Sequence, residues 1–223
     1  MPRLNRVSLL NIAARFSIVI ALLLTLNQFY GKALTESILP LLRWEIAQLD
    51  DTYRILDLSL DREGRDTVIR LDVGLEKVVV IGGQALMPDP RARANVSTLA
   101  GQVTQPALLC LALILTWPAL RAIEYPVRAL IAASGIGFVI LIDVPFVLWG
   151  ELWNLHVSVL EPDRFSPLLI WKNFLQGGGR FVLGLGVGVL AVVVGQMLGA
   201  HSKRAPPILP NSTEPSDLNG NVR

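Results

Sequence analysis

Four long blocks of apolar residues constrain this sequence more than any other feature. A helix that crosses the hydrocarbon core of a bilayer needs roughly 20 mostly apolar residues. The four blocks are residues 16–40, 103–123, 129–150 and 181–200. Apolar residues are concentrated in these blocks and are not spread at the spacing of soluble helices or strands. The sequence therefore predicts an α-helical membrane protein with four transmembrane helices.

The first block, residues 16–40, also has features of a secretory signal peptide. It follows a basic lead, residues 1–15, which contains Arg3, Arg6 and Arg15. A cleavable signal ends in a small-x-small cleavage site, and the stretch NQFYGKALTES does not supply one. We therefore expect an uncleaved anchor helix. Cleavage is the open alternative, and it would leave a mature chain with three spans.

The positions of lysine and arginine predict which side of the membrane each connection faces. Short cytoplasmic loops carry an excess of these residues. The connection between the second and third blocks contains Arg121 and Arg128, and the tail after the fourth contains Lys203 and Arg204. With four spans, these segments share one side with the basic lead. These charges thus predict that both termini lie in the cytoplasm. The single cysteine excludes an internal disulfide and fits a protein of the bacterial inner membrane.

Residues 41–102, between the first two blocks, contain short stretches in which polar and apolar residues alternate. TYRILDLSL and TVIRLDV have this period of two, with the turn signal DREGRD between them, and KVVVIGG is a third stretch closed by two glycines. Such alternation predicts half-buried β-strands. We expect a small extracytoplasmic antiparallel sheet of about three strands. Residues 84–102 are predicted to be a loop that returns to the second span.

Three further segments border the apolar blocks. Residues 35–48 are predicted to extend the first helix along the membrane surface, with Pro40 as a bend or a stop. Residues 151–178 form a second predicted extracytoplasmic loop, in which the stretch from Pro167 favours an interfacial helix. Residues 201–223 are rich in proline, asparagine and serine, a composition typical of disorder. We therefore predict a disordered cytoplasmic tail.

Asp143 is the main candidate for a functional role because it lies inside the third apolar block. A carboxylate at the centre of a bilayer costs about 2.5–3.5 kcal/mol on insertion scales, so such a group faces protein or water. Three interpretations are open: an ion or proton site, a contact to a basic group on another helix, or a wetted residue that caps a kink at Pro145. Glu151 and His156 follow in the sequence and complete the set of polar candidates.

The same residues give little reason to expect a metal or a cofactor. The chain has two histidines, and His201 lies on the other side of the predicted membrane from His156. Cys110 lies in an apolar stretch, whereas a reactive thiolate needs a polar, electropositive setting. We predict no catalytic residue, no metal site and no cofactor. Because no face is rich in lysine and arginine, we also predict no nucleic-acid partner.

The fourth block has glycines at a spacing that favours close packing between helices. Gly184 and Gly188 form one small-xxx-small pair, and Gly195 and Gly199 form another. This pattern predicts contacts within the chain or with a partner. Polar residues in or near the blocks are expected to form hydrogen bonds between helices. They are Asn27, Gln28 and Gln196.

The order of these parts resembles the small membrane proteins associated with bacterial exosortases, in particular the exosortase H-associated type. The stretches that carry the resemblance are FYGKALTESILPLLRW, TYRILDLSL, TVIRLDV and QPALLCLALILTWPAL. The resemblance covers most of residues 16–150 and concerns architecture. It implies an accessory role in processing or sorting proteins that carry C-terminal membrane tags, next to an exosortase-type protease. No catalytic residue is carried over, because the Cys, Arg and His set of those enzymes has no counterpart around Cys110.

Two functional hypotheses follow from these observations. The first is a non-enzymatic accessory subunit of an envelope protein-sorting or secretion assembly, with the lipid bilayer and a membrane protein as its partners. In this hypothesis the β segment contacts a partner or client. The alternative is an intramembrane enzyme or a small transporter centred on Asp143, with Glu151 and His156 as further polar groups.

Overall fold

The structure, a computed structural model, describes residues 6–119 and 121–201. The start of the predicted lead, residues 1–5, and nearly all of the predicted disordered tail, residues 202–223, lie outside the described part. The helices are α1 (Arg6–Leu49), α2 (Ala100–Thr116), α3 (Glu124–Leu160), α4 (Pro167–Phe174) and α5 (Arg180–His201). The chain is mostly helical, with a small antiparallel sheet between α1 and α2.

Three helical segments are long and apolar enough to cross a bilayer. They are Leu10–Leu49 within α1, Glu124–Leu160, and the continuous stretch Pro167–Gly199 that contains α4 and α5. The helix α2 is apolar but has only 17 residues. Its length is therefore about 25 Å at the usual helical rise. The length and apolar composition of the three long segments indicate a membrane protein.

The helix α1 continues well past the end of the first apolar block. It has 44 residues and includes Pro40 without ending there. Its last turns bury Leu42 and Ile46, so packing against the sheet stabilises this part of the helix. The predicted extension of the first helix over residues 35–48 is therefore present, and it does not stop at Pro40 but ends at Leu49.

The helix α2 ends earlier than the second apolar block. The predicted span runs to residue 123, whereas the helix stops at Thr116. Pro118 explains the difference, because proline disfavours the helical conformation of the residue before it. That residue, Trp117, is extended, with φ −75° and ψ 122°. A short non-helical connection therefore leads from α2 to α3.

The helix α3 is longer at both ends than the third apolar block. It begins at Glu124 and ends at Leu160. The predicted loop over residues 151–178 thus begins with ten residues of helix, in which Leu152 and Val157 are buried. The helix favoured after Pro167 is present as α4.

A π turn, Leu175–Gly179, joins α4 to α5 without an intervening loop. Gly178 in this turn has φ 109°, a conformation that residues with a Cβ rarely adopt. The glycine run at residues 177–179 therefore forms a kink of defined shape. It changes the direction of the chain so that α4 and α5 both pack on α3.

Five strands lie between α1 and α2 in the described chain. They are β1 (Tyr53–Glu63), β2 (Asp66–Leu75), β3 (Val79–Ile81), β4 (Gln84–Leu86) and β5 (Ala94–Leu99). The main sheet is antiparallel, in the order β1-β2-β5. The turn from β1 to β2 contains Gly64 with φ 64°. The first two predicted strands and the antiparallel sheet are therefore confirmed.

The third strand of the main sheet is not the predicted one. KVVVIGG contributes β3, which pairs with β4 in a separate hairpin. Gly82 and Gly83 have φ 58° and 76°, as the two-residue type I′ turn of a tight hairpin requires. The third strand is β5, within residues 84–102, which we predicted to be a loop. Its overlooked signal is the alternation around Val96 and Thr98, both of which are buried.

The main sheet packs against the ends of α1 and α3, and we refer to that end of the helices as the sheet end. One hydrophobic core joins the sheet, α1, α3 and the start of α2. Its buried members are Leu42, Ile46, Leu58, Ile69, Leu71, Val73, Val96, Ala100, Val103, Val144, Leu148 and Leu152. Burying a side chain of this size stabilises a fold by about 1.5–3 kcal/mol. The sheet is therefore part of the helical body and does not form a separate domain.

The pairing of β2 with β5 can be tested by disulfide formation. Asp72 lies opposite Asn95 in the register. Directly opposite residues have Cα atoms about 4.5–5.5 Å apart, a separation that a disulfide can bridge. In a Cys110→Ala background we expect Asp72→Cys/Asn95→Cys to oxidise to an intramolecular disulfide, measured by mass spectrometry of linked peptides. The control is Asp57→Cys/Asn95→Cys, because Asp57 pairs with Asp72 from the other side; equal linkage of this pair would show that the strand order is wrong.

Candidate functional site

Asp143 forms a buried ion pair with Arg180 at the start of α5. The Nη2 of Arg180 donates a hydrogen bond to Oδ1 of Asp143 at 3.0 Å. Asp143 is only 2% exposed and Arg180 only 3%. Of the three interpretations that the sequence left open for Asp143, a contact to a basic group on another helix is the arrangement seen. The sequence analysis did not identify Arg180, which follows the glycine run directly.

The local backbone explains how these two residues meet. Pro145 lacks an N–H, so α3 loses one internal hydrogen bond just after Asp143. Trp171 of α4 donates a hydrogen bond from Nε1 to the carbonyl of Ile142 at 3.1 Å, which fixes α4 beside this part of α3. The π turn then lets α5 begin with Arg180 next to Asp143.

The buried ion pair sets the position of α5 on α3. Removing two charges from water is costly, and their mutual attraction recovers that cost only with good geometry. The Nε of Arg180 has no hydrogen-bond partner among the described residues. Removing one partner of such a pair typically costs about 3–5 kcal/mol, while replacing both with apolar residues is often neutral. The pair therefore specifies one arrangement of the helices more than it adds net stability.

Glu151 lies eight residues further along α3, about 12 Å from Asp143 at the helical rise. Its two carboxylate oxygens accept hydrogen bonds from Lys172 at 3.1 Å and from Gln176 at 2.8 Å. Lys172 is 6% exposed, and its methylene groups lie over Gly150. Glu151 thus ties α4 and the π turn to α3, and it does not meet Asp143.

His156 lies near the end of α3 and contacts the first strand. Its Nδ1 is 2.9 Å from the carbonyl of Leu152 and 3.3 Å from the hydroxyl of Tyr53. Because a carbonyl only accepts hydrogen bonds, Nδ1 carries the hydrogen. Burial, with a contribution from Asp50, raises the pKa of Tyr53 to about 12, so its hydroxyl keeps its proton.

The three polar candidates from the sequence therefore do not converge on one point. Asp143, Glu151 and His156 each have partners on a different element of the fold. Within residues 6–119 and 121–201, no group of three or more histidine, cysteine, aspartate or glutamate side chains is arranged to hold a metal ion.

A second buried ion pair lies at the opposite end of α3. The Nη2 of Arg128 donates a hydrogen bond to Oε2 of Glu124 at 2.6 Å. Arg128 is 0% exposed and Glu124 is 2% exposed. Arg128 also donates to the carbonyls of Trp117 and Pro118, at 2.9 and 3.3 Å. It thereby satisfies carbonyl groups of the short connection that follows α2.

This second pair was missed because Arg128, like Arg121, was interpreted only as a loop charge. Arg121 donates a hydrogen bond to the carbonyl of Gly199 in α5, and Arg128 lies in the second turn of α3. The available signal was the four-residue spacing of Glu124 and Arg128, which places both side chains on one face of a helix. Both arginines hold the helices together at this end.

The first glycine pair of α5 lies against α2. A Cβ added to Gly184 would come within 2.5 Å of the carbonyl oxygen of Pro106. A Cβ on Gly188 would lie 3.0 Å from the side chain of Leu113 and 3.4 Å from the backbone of Cys110. The missing side chains allow the two helices to approach closely.

The second glycine pair accommodates the Glu124–Arg128 ion pair. A Cβ on Gly195 would come within 2.7 Å of the Arg128 side chain, and one on Gly199 within 3.0 Å of the Glu124 side chain. Glycine at these positions leaves room for two charged side chains between α3 and α5. The four glycines predicted to act in packing therefore lie at contacts within this chain.

A polar groove of about 380 Å³ opens between α1, the β1–β2 turn and the start of α2. Its polar and charged lining residues are Asn27, Gln28, Lys32, Thr35, Arg65, Asp66, Thr67, Gln102, Thr104 and Gln105. No single segment of the sequence signals this groove, because three segments distant in sequence form it. We call it the amide groove.

Comparisons with protein families, with curated proteins and with solved structures found no match to this chain. The functional interpretation therefore depends on the buried ion pairs, the glycine contacts and the amide groove.

Truncation of the buried ion pair should destabilise the protein strongly. We expect Asp143→Ala to lower the free energy of unfolding by about 3–5 kcal/mol, measured by denaturant titration in mixed micelles. Arg180 then remains buried without a counter-charge. The double variant Asp143→Leu/Arg180→Met should recover most of this loss. If the stability losses of the single variants Asp143→Leu and Arg180→Met simply add in the double variant, that result would contradict a direct ion pair.

The glycines of α5 offer a matched pair of substitutions. Gly184→Ala places a methyl group against the backbone of Pro106, and such overpacking typically costs about 1–3 kcal/mol. Gly186→Ala meets no atom within 4 Å, so we expect it to be neutral or slightly stabilising. Thermal unfolding in the same micelles measures both. Equal effects of the two substitutions would contradict the α2–α5 contact.

Proposed function

We propose that the chain crosses the membrane four times and that the hydrocarbon core lies between the two buried ion pairs. Nineteen residue steps separate Glu124 from Asp143 in α3. At roughly 1.5 Å per residue they span about 28 Å, close to the thickness of roughly 30 Å of the hydrocarbon core. Arg180 and Gly199 have the same separation in α5. Charged side chains at both limits then lie near water.

The fourth span in this proposal is α2. Its 17 residues are at the short end of the range for a transmembrane helix. Its contacts with Gly184 and Gly188 support a position beside α5, within the same slab. Arg121 and Arg128 at the end opposite the sheet support a cytoplasmic location for that end. The sheet and both helix ends that carry it are then extracytoplasmic.

Within this topology we propose that the protein is a non-enzymatic accessory subunit of a membrane assembly. The observation that carries the proposal is the use of the polar candidates: Asp143, Glu151 and His156 each bind a group on another element of the same chain. A catalytic acid or base must reach the proton that it transfers, and these groups are engaged elsewhere. Their arrangement suits a rigid scaffold.

The exposed surface of α1 is the proposed contact for the partner. The most apolar window of α1 contains no buried residue, whereas about a third of the corresponding window in α3 is buried. Phe29 is 75% exposed, and Trp44, beyond the proposed hydrocarbon core, is 63% exposed. Aromatic residues of this kind are enriched among the energetically dominant residues of protein interfaces.

The resemblance in the order of parts suggests which assembly this is. An accessory subunit next to an exosortase-type protease would help to process or sort proteins with C-terminal membrane tags. In this proposal the extracytoplasmic sheet faces the side on which such proteins are released, and α1 contacts the protease. An enzyme or transporter centred on Asp143 is the alternative, but no specific contact among the described residues favours it over the scaffold.

The assembly can be tested by photo-crosslinking in native membranes. A photoreactive phenylalanine at position 29 or 44 of α1 is expected to capture the same membrane protein, identified by mass spectrometry. The control is position 189 of α5, where Val189 is also exposed. Capture of a membrane protease at both α1 positions supports the exosortase-like assembly. Adducts with lipid alone, or equal capture from position 189, would contradict a partner on α1.

A further inference from the structure

The amide groove lies at the same depth as the Asp143–Arg180 pair. Gly184 of α5 contacts Pro106 of α2, and Gly188 contacts Cys110, four residues further along both helices. The two helices are therefore parallel, and one turn back from this contact Arg180 is level with Gln102. Gln102 lines the groove. If the pair marks the outer limit of the hydrocarbon core, the groove opens among the lipid headgroups.

The groove holds more hydrogen-bond donors than the protein uses. Within the described residues, no hydrogen bond engages the side chains of Asn27, Gln28, Gln105 or Arg65. The expectation of hydrogen bonds between helices is thus not met at the first two residues. Gln102 accepts a hydrogen bond from Thr98 through its oxygen at 3.3 Å, which leaves its amide hydrogens free. An acceptor-rich ligand would match this lining.

The charged residues of the groove favour an anion. Lys32 comes from α1 and Arg65 from the β1–β2 turn, and Asp66 is the one carboxylate of the lining. Lys32 is also 3.8 Å from Glu36, a residue outside the lining. Both side chains are exposed, and exposed pairs of this kind are weak. Basic side chains and neutral amide donors together suit a phosphate group, which offers several acceptor oxygens.

The surface beside the groove suits acyl chains. Leu22, Leu24 and Leu26 precede the groove residues of α1, on the side toward the proposed hydrocarbon core, and are 59%, 48% and 45% exposed. An extended peptide would need backbone donors and acceptors along the groove with which to pair. A phospholipid instead needs donors for its headgroup and, toward the hydrocarbon core, an apolar surface for its acyl chains. The second arrangement is the one that α1 offers.

We infer that the amide groove binds the phosphate group of an anionic glycerophospholipid, with Lys32 and Arg65 as its cationic ligands and the amides of Asn27, Gln28 and Gln105 as donors. This inference rests on the proposed placement of the membrane. The lipid would fill the space between α1, the β1–β2 turn and α2, and so hold the extracytoplasmic sheet to the membrane surface.

The test uses the purified full-length chain in detergent micelles, with bound lipid counted by native mass spectrometry. The probes are phosphatidylglycerol, phosphatidylcholine and inorganic phosphate. The groove variant is Lys32→Glu/Arg65→Glu. The control is Arg54→Glu/Arg91→Glu, which changes the formal charge equally at two exposed arginines outside the groove. All four positions are exposed, so we expect both variants to fold, checked by circular dichroism.

A second variant, Asn27→Leu/Gln105→Leu, removes amide donors without changing the charge. We expect the wild-type chain to retain phosphatidylglycerol in preference to phosphatidylcholine. Affinity for phosphatidylglycerol should fall about tenfold or more in the groove variant, because each basic group near an anionic surface contributes to binding. It should fall less in the amide variant and stay within about twofold in the control.

Three results would overturn the inference. They are no preference for phosphatidylglycerol, an equal loss in the control variant, and a peptide in place of lipid at the groove after photo-crosslinking from position 28. Stabilisation of the chain by inorganic phosphate alone, with displacement of the lipid, supports the phosphate site and assigns it to a soluble ligand.

The lipid measurements are independent of the proposed assembly because they contain no partner protein. Reporter fusions after residues 88, 122 and 163 test the four-span topology separately, with the expected locations outside, inside and outside. A correct topology without lipid selectivity would therefore reject only the groove site. Lipid selectivity without a captured partner would reject only the accessory role.

Discussion

The burial of charge within an apolar helical body is the constraint on which the rest of this structure depends. A buried guanidinium or carboxylate is tolerated only next to an opposite charge, so Asp143 and Arg180 leave α3 and α5 one relative position along their axes. At the opposite end the Glu124–Arg128 pair lies within α3, and Arg128 and Arg121 fix the neighbouring segments by donating hydrogen bonds to the carbonyls of Trp117 and Gly199. Apolar contacts between helices are non-directional, and they would allow sliding. Gly195 and Gly199 of α5 then follow as a requirement, because the side chains of Glu124 and Arg128 need space between α3 and α5.

The helices could largely be predicted from apolar length, since that property is local. Their ends could be predicted only in part. The extension of α1 over residues 35–48 was predicted, and its last turns bury Leu42 and Ile46 against a sheet that follows in the sequence. The end of α2 is set by Pro118. Proline is a known signal for the end of a helix, but the apolar residues around it led to a predicted span that continues past it. In both places tertiary packing or a single proline decided the boundary.

The sheet and the site show the same division between local and non-local information. The first two strands have clear alternation, whereas KVVVIGG pairs with the residues that follow it, because Gly82 and Gly83 form the turn of a tight hairpin. Asp143 could be selected because a carboxylate is rare in an apolar block. Its partner could not be predicted, because Arg180 is 37 positions away and the residues around Arg180 give no sign that it pairs with Asp143. The amide groove was beyond prediction for the same reason: its lining becomes a single surface only after three segments have packed together.

The passage from β5 to α2 occurs without a linker, since Leu99 ends the strand and Ala100 begins the helix. Only three residues separate α1 from β1. The sheet is therefore connected to the helical bundle at two short joints and by a common hydrophobic core, and it cannot swing as a tethered domain would. Any molecule that binds the sheet is held at a fixed height and in a fixed direction relative to the helices. A force applied to the sheet would be transmitted along β5 to α2 and, through the α2–α5 contact, to α5. The sheet and the helical bundle therefore move together.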